Sequence, residues 1–147
     1  MTNEELMEYA KKVQKNAICQ YTNTATGVAL LAKSGKVYTG CNIEHSISGL
    51  ATCAEKVAFA KAISEGESEF EKIAVVGGKR GQEYKNTWIP CLSCIQYMLD
   101  FVDDIIVVCY MDSKLVETHL ADTMFMKLNV NRKVTMRKHD KDNWSKI

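Results

Sequence analysis

Two short cysteine blocks constrain this chain more than any other feature. Cys53-Ala54-Glu55 opens a run rich in helix formers, CAEKVAFAKAISE, and Pro90-Cys91-Leu92-Ser93-Cys94 opens another, CLSCIQYMLDFV. Gly66 supplies a C-cap residue after the first run, and Pro90 suits the first turn of the second, so each block stands at a predicted helix start. Helix N-termini expose unpaired amides and a partial positive charge, which lower a thiol's pKa and favour the thiolate that binds metal. A fold that uses both blocks has to bring two helix ends to one place.

The rest of the chain supplies elements for such a fold. Thr2 followed by Glu5 is a capping-box pattern, and Leu6, Tyr9, Ala10, Val13 and Ala17 recur at helical spacing, predicting a helix over 3–18. ATGVALLAK and KVYTGCNI are β-prone runs joined through Ser34 and Gly35, a hairpin pattern. FEKIAVVGG reads as a buried strand and KRGQEYKNTW (79–88) as a polar loop. DDIIVVCYM is apolar throughout, as a strand covered on both faces should be. Residues 115–127 are weakly helical, KVTMRK is a candidate last edge strand, and HDKDNWSKI is a polar tail. The expected fold is α/β, a three-layer α/β/α arrangement around a mixed, mostly five-stranded sheet. It forms one domain over 1–147, with 130–147 as edge strand and tail.

Composition narrows the partners. The chain has 147 residues, 46% hydrophobic and 25% charged, and a chain of this size buries roughly 70% of its unfolded surface, enough for a core without disulfides. Lys plus Arg number 19 against 18 for Asp plus Glu, so no global field draws the protein to nucleic acid or an anionic membrane. A small, nearly neutral partner is expected. The acidic, amphipathic start and the absence of any run of about 18 apolar residues predict a cytoplasmic protein. Cys19, Cys41 and Cys109 are expected to be small core hydrophobes rather than half of a disulfide framework.

A catalytic zinc keeps three protein ligands and an open position for water, whereas a structural zinc is closed by four. Cys53, Cys91 and Cys94 offer three thiolates. Zinc acidifies its water, and Glu55, two residues from a ligand, stands where it could take that proton. The alternative is a structural zinc clip or an inactive relative, neither of which has a use for Glu55. His45, His119 and His139 are fourth ligands in principle, but none shares the helix-start spacing. Three thiolates on a divalent ion leave the centre at −1, so Lys56 is either the compensating charge or a solvated surface lysine.

The layout matches the zinc-deaminase signature, in which a His or Cys stands two residues before a non-ligating Glu and Pro-Cys-x-x-Cys follows. Over about Tyr21 to Phe125 the chain resembles the small, homotetrameric cytidine deaminases, through GKVYTGCNIE, SGLATCAEKVAFAKAISEG and PCLSCIQ. The resemblance implies one zinc per chain on Cys53, Cys91 and Cys94, with Glu55 as proton carrier. It also implies Asn42 and Glu44 on the ribose hydroxyls, the Ala54 carbonyl on the base's amino group, and the Cys91 amide facing the reacting oxygen. Phe125 would be a pocket aromatic lent by a neighbouring subunit. Cytidine and deoxycytidine are the implied substrates. The departures are Thr24 for an aromatic, Ser48 for a tyrosine, and Lys56 and Ile95 for two arginines that help neutralise the thiolates. Blasticidin S deaminases share the ligand pattern and lack the aromatic, but they also lack a glutamate like Glu44. A non-catalytic zinc- or nucleoside-binding protein is the rival from another class.

Overall fold

The computed structural model describes residues 1–82 and 89–129, the side chains of 125–129 excepted. In chain order it contains α1 (Asn3–Gln14), β1 (Thr24–Ala32), β2 (Val37–Cys41), a short 3-10 turn (Ser48–Leu50) and α2 (Ala54–Ser64). There follow β3 (Phe70–Lys79), α3 (Leu92–Leu99), β4 (Ile106–Met111), β5 (Lys114–His119) and α4 (Leu120–Asn129). The five strands make one sheet in the order β2-β1-β3-β4-β5, with β3 and β4 parallel and all other pairs antiparallel.

Alternate residues of β1 face opposite layers, as strand geometry requires. Val28 and Leu30 join Ala58, Phe59, Ile73, Ile95, Met98 and Leu120 in a core shared by α2, α3 and α4. Ala29 and Leu31 join Leu6, Met7, Ala10, Ala74 and Val76 under α1. The three-layer α/β/α expectation is met. A glycine on each face lets a helix come close. Gly27 lies against the Ala10 carbonyl on the α1 side, and Gly40 against the Ala54 carbonyl on the α2 side. At the start of α1 the capping box is present: Glu5 N–H donates to Thr2 Oγ1 (3.1 Å) and Thr2 N–H to Glu5 Oε2 (2.8 Å). At the end of α2, Gly66 adopts φ 95° and Glu67 N–H reaches back to the Ala62 carbonyl, the glycine-terminated close anticipated there.

Strand directions decide where chemistry can gather. β1 runs against both β2 and β3, so β2 and β3 point the same way and their C-terminal ends share one edge of the sheet. The chain leaves β2 for α2 and β3 for α3. Both helices pack on the same face, so both begin at that edge.

Three expectations need correcting. The first helix ends at Gln14, not at residue 18, because Ile18 N–H donates to the Asn42 carbonyl (3.1 Å) and forms a bridge with Ile43 beyond the end of β2. Residues 114–119 form β5 rather than the start of a weak helix. A two-residue turn at Asp112 and Ser113, with φ of 48° and 63°, folds Lys114–His119 back along β4. This supplies the fifth strand that KVTMRK was expected to provide; that segment and the tail lie outside the described residues. The loop placed at 79–88 begins later, since Lys79 still pairs with Thr24, and residues 83–88 are not described. Cys19 and Cys109 are buried as expected, while Cys41 is half-buried.

A Cβ at Gly40 would collide with the Ala54 carbonyl oxygen and stand 2.8 Å from the Ala58 nitrogen. Both are backbone atoms of the helix that carries Cys53. Gly40→Ala is therefore expected to lower unfolding free energy in urea by about 1–3 kcal/mol, the usual cost of overpacking, and to loosen metal at Cys53 with it. An unchanged midpoint would show that α2 is not seated this closely.

Candidate metal centre

Cys53 is the N-cap of α2 and Cys91 the N-cap of α3, both with extended backbone and neither with a sulfur capping the amides of its helix. N-cap positions usually hold Ser, Thr, Asp or Asn, whose oxygens accept helix amides; here the sulfurs are left for another task. Cys94 lies one turn into α3 and is 1% exposed. The three sulfurs all lie within 4.8 Å of one another, and Cys91 and Cys94 are 3.3 Å apart. Tetrahedral zinc with bonds of about 2.3 Å places thiolate sulfurs about 3.8 Å apart, so the donor set fits zinc with small adjustments. Among the described residues no His, Asp, Glu or further Cys joins the cluster, which leaves room for a fourth, non-protein ligand. Cys94 is buried, Cys53 half-buried and Cys91 exposed, so the centre opens on the Cys91 side.

Without metal the cluster holds its own proton. A hydrogen bond from Cys94 lowers the Cys53 thiol to about 6, against the opposing effects of burial and of the Glu55 carboxylate; the Lys56 ammonium adds to the lowering. Cys94 is pushed up for the complementary reason, as the donor to Cys53, and burial and Glu55 push it further. Glu55 is 4% exposed in the first turn of α2 and acts electrostatically on both sulfurs. It sits outside the sulfur cluster.

The other anticipated residues gather at the same edge, with qualifications. Asn42 follows β2, but its carboxamide is bound to the start of β1. Thr26 N–H donates to Oδ1 (2.7 Å), and Nδ2 donates to the Thr24 carbonyl (2.9 Å). A carboxamide nitrogen has two N–H groups, so one remains for a ligand. Glu44 Oε1 accepts from both the N–H and the hydroxyl of Thr22, each at 3.3 Å. The Ala54 carbonyl is turned against Gly40 inside the core. The first helical residue keeps its N–H without an intrahelical partner, so at Ala54 the main-chain group without a helix partner is the N–H, while the carbonyl anticipated on the base points at Gly40. The side chain of Phe125 lies outside the described residues. Of the histidines, His45 Nδ1 accepts from Ile47 N–H (3.1 Å) and His119 pairs with Asp104, away from the cluster; His139 is not described.

Two neighbouring residues, Ser93 and Tyr97, escaped sequence reasoning. Ser93 Oγ stands 3.6 Å from the Cys91 sulfur, and the Lys56 ammonium sits 5.8 Å from the centroid of the Tyr97 ring. Tyr97 follows Cys94 by three residues and Lys56 follows Cys53 by three, a spacing that puts each on its ligand's side of the helix. That signal was present in the sequence.

Purified reduced protein is expected to hold one zinc per chain. Zinc binds thiolates, and Cys94 carries a proton in the metal-free state, so loading at pH 7.5 should release at least one proton per zinc. Calorimetric titration of metal-free protein in two buffers of different ionisation enthalpy counts it. A metal-free preparation that takes up no zinc, or takes it up without proton release, would contradict the sulfur cluster.

Residues 1–110 match the family model described as the cytidine and deoxycytidylate deaminase zinc-binding region. A cytidine deaminase of Sporosarcina psychrophila is 39% identical over 101 residues, 69% of this chain and 71% of its own length. A probable cytidine deaminase of Dictyostelium discoideum is 40% identical over 107 residues, 70% of this chain and 69% of its own. The crystal structure of cytidine deaminase from Burkholderia pseudomallei superposes with a TM-score of 0.73 at 36% identity, covering 83% of this chain and 95% of that one. The sulfur cluster, the fold that assembles it and these likenesses agree, and the chain belongs to the cytidine and deoxycytidylate deaminase zinc-binding family.

Proposed function

We propose that this protein is a hydrolase that deaminates cytidine and deoxycytidine to uridine and deoxyuridine with release of ammonia, serving pyrimidine salvage in the cytoplasm. The observation that carries this is three cysteine sulfurs meeting at two helix starts beside a buried, non-ligating Glu55. Relatives named cytidine deaminase, at 37–40% identity, support the same substrate.

Cys53, Cys91 and Cys94 would hold the zinc, which would supply an acidified water beside the base. Glu55 would carry one proton from the attacking water to N3 of the cytosine ring as oxygen adds at C4, and a second from the hydroxyl then on C4 to the amino group, so that the C4–N bond breaks and ammonia leaves. One water is consumed for each ammonia released. Glu55 is 4% exposed in the first turn of α2, so the transfers would take place out of contact with bulk water. Asn42 and Glu44, braced by the start of β1, meet the sugar hydroxyls.

Glu55→Gln should keep its zinc and its fold yet lose ~10²–10⁴ in turnover, the usual worth of a positioned acid or base. Ammonia release measured on cytidine, deoxycytidine, free cytosine and blasticidin S checks substrate and role together. Cytidine and deoxycytidine should be turned over and free cytosine hardly at all, because Asn42 and Glu44 would have no sugar to hold. A preference for blasticidin S would favour the kind of enzyme represented by the Bacillus cereus blasticidin-S deaminase, 29% identical over 108 residues. Loss of metal from Glu55→Gln would reassign Glu55.

The active unit is a homotetramer in which Phe125 of one subunit reaches the site of another. Ile43, Ile47, Leu50 and Leu92 support it, since these large apolar side chains are 41–61% exposed around the two ligand-bearing segments and an uncovered apolar surface of this kind favours association. Sedimentation at micromolar concentration should give a tetramer. A fully active monomer would refute it.

A further inference from the structure

Lys56 and Tyr97 occupy matching places on the two ligand helices. Each lies three residues beyond a cysteine of the cluster, Lys56 after Cys53 on α2 and Tyr97 after Cys94 on α3. The Lys56 ammonium stands over the Tyr97 ring, 5.8 Å from its centroid, within cation–π range. The ring itself is fixed. It packs edge-on against Phe59 (6.4 Å) and Phe101 (5.2 Å), and Phe59 in turn packs on Phe70 (4.9 Å) and Phe101 (6.0 Å). A lysine on an open helix face samples many rotamers, and a half-buried aromatic wall removes most of that freedom.

Charge gives this restraint a purpose. Three thiolates on a divalent ion amount to −1, and Glu55 is a further acidic group beside them. Lys56 and Lys61 are the cations of α2, and α3 has none. Lys61 is turned away, donating to the Thr39 carbonyl at 2.5 Å. Lys56 is thus the cation these helices hold for the centre.

We propose that Tyr97 is a positioning residue that holds the Lys56 ammonium one helical turn from the cysteine cluster, so that a single lysine offsets the charge of a three-thiolate zinc site. The clasp also ties α2 to α3 at the level of the ligands and keeps the two helix starts in register. It rests on the zinc assignment above.

A double-mutant cycle on zinc affinity, read by competition with a chelator, tests it. Lys56→Met and Tyr97→Leu should each weaken zinc binding roughly tenfold, the lower end of what outer-shell partners of a metal contribute. The double variant should be within about threefold of either single one, because both changes remove the same interaction. Tyr97→Phe, which keeps the ring, should stay within about threefold of wild type. If Tyr97→Leu does not fold, Tyr97→Met takes its place in the cycle. Losses that multiply to about a hundredfold, or a Lys56→Met protein with wild-type zinc affinity, would overturn the clasp while leaving the zinc centre standing. A wild-type protein that binds no zinc would remove both.

Discussion

Three cysteine sulfurs held within 4.8 Å of one another are the constraint on which the rest of the molecule depends. As thiolates they repel, and burial raises the cost because charge is poorly solvated in a protein interior. A divalent ion removes that cost, and in its absence a proton kept by Cys94 and shared with Cys53 does so in part. Neither device could bring the sulfurs together unaided. The sheet does it, since β2 and β3 run in the same direction and each delivers a helix start to one edge. Gly40 lets α2 settle against the strand, and the Phe59–Phe70–Tyr97–Phe101 cluster fixes α3 beside it. The metal site is thus a property of strand order before it is a property of cysteine.

Electrostatics at that edge work in two directions. The N-termini of α2 and α3 favour anions, which suits the thiolates and also the Glu55 carboxyl in the first turn of α2. Burial acts the other way on any anion held there, because a desolvated charge is costly, and Glu55 is 4% exposed. In the proposed reaction a single buried acid would carry both protons, without a histidine. Among the described residues, none joins the cluster.

Much of this was legible in the sequence, for identifiable reasons. The cysteine blocks, the first hairpin, the central strand β4 and the glycine end of α2 all announce themselves through short-range rules that tertiary structure did not override. The failures occurred where long-range pairing decided. β5 was missed because its hairpin turn uses Asp112 and Ser113 in left-handed conformations, whereas the sequence signal for such a turn is a glycine or an asparagine-glycine pair. The end of α1 was missed because Ile18 leaves helical periodicity to bond with Asn42, a partner that no local pattern reveals. Zinc ligation was legible through spacing. That the Ala54 carbonyl lies inside the core depends on how α2 rests on β2, and became visible only with Gly40 beneath it.

Asn42 shows how side chains beyond the end of β2 are tied into the sheet. Its carboxamide spans the start of β1, bonding Thr26 N–H and the Thr24 carbonyl, and thereby continues the β1–β2 ladder past the last strand residue. Glu44 repeats the device one step on, gripping Thr22, whose carbonyl is held by Lys79 from the end of β3. Polar side chains that complete main-chain pairing cannot swing freely, so what donor and acceptor capacity they retain is aimed before any ligand arrives. Pre-organisation of this kind lowers the entropy cost of binding. Loosening β1 from β2 would disorder Asn42 and disturb the seat of α2 in the same motion, so the residues proposed for the sugar share a strand pair with the helix that carries Cys53.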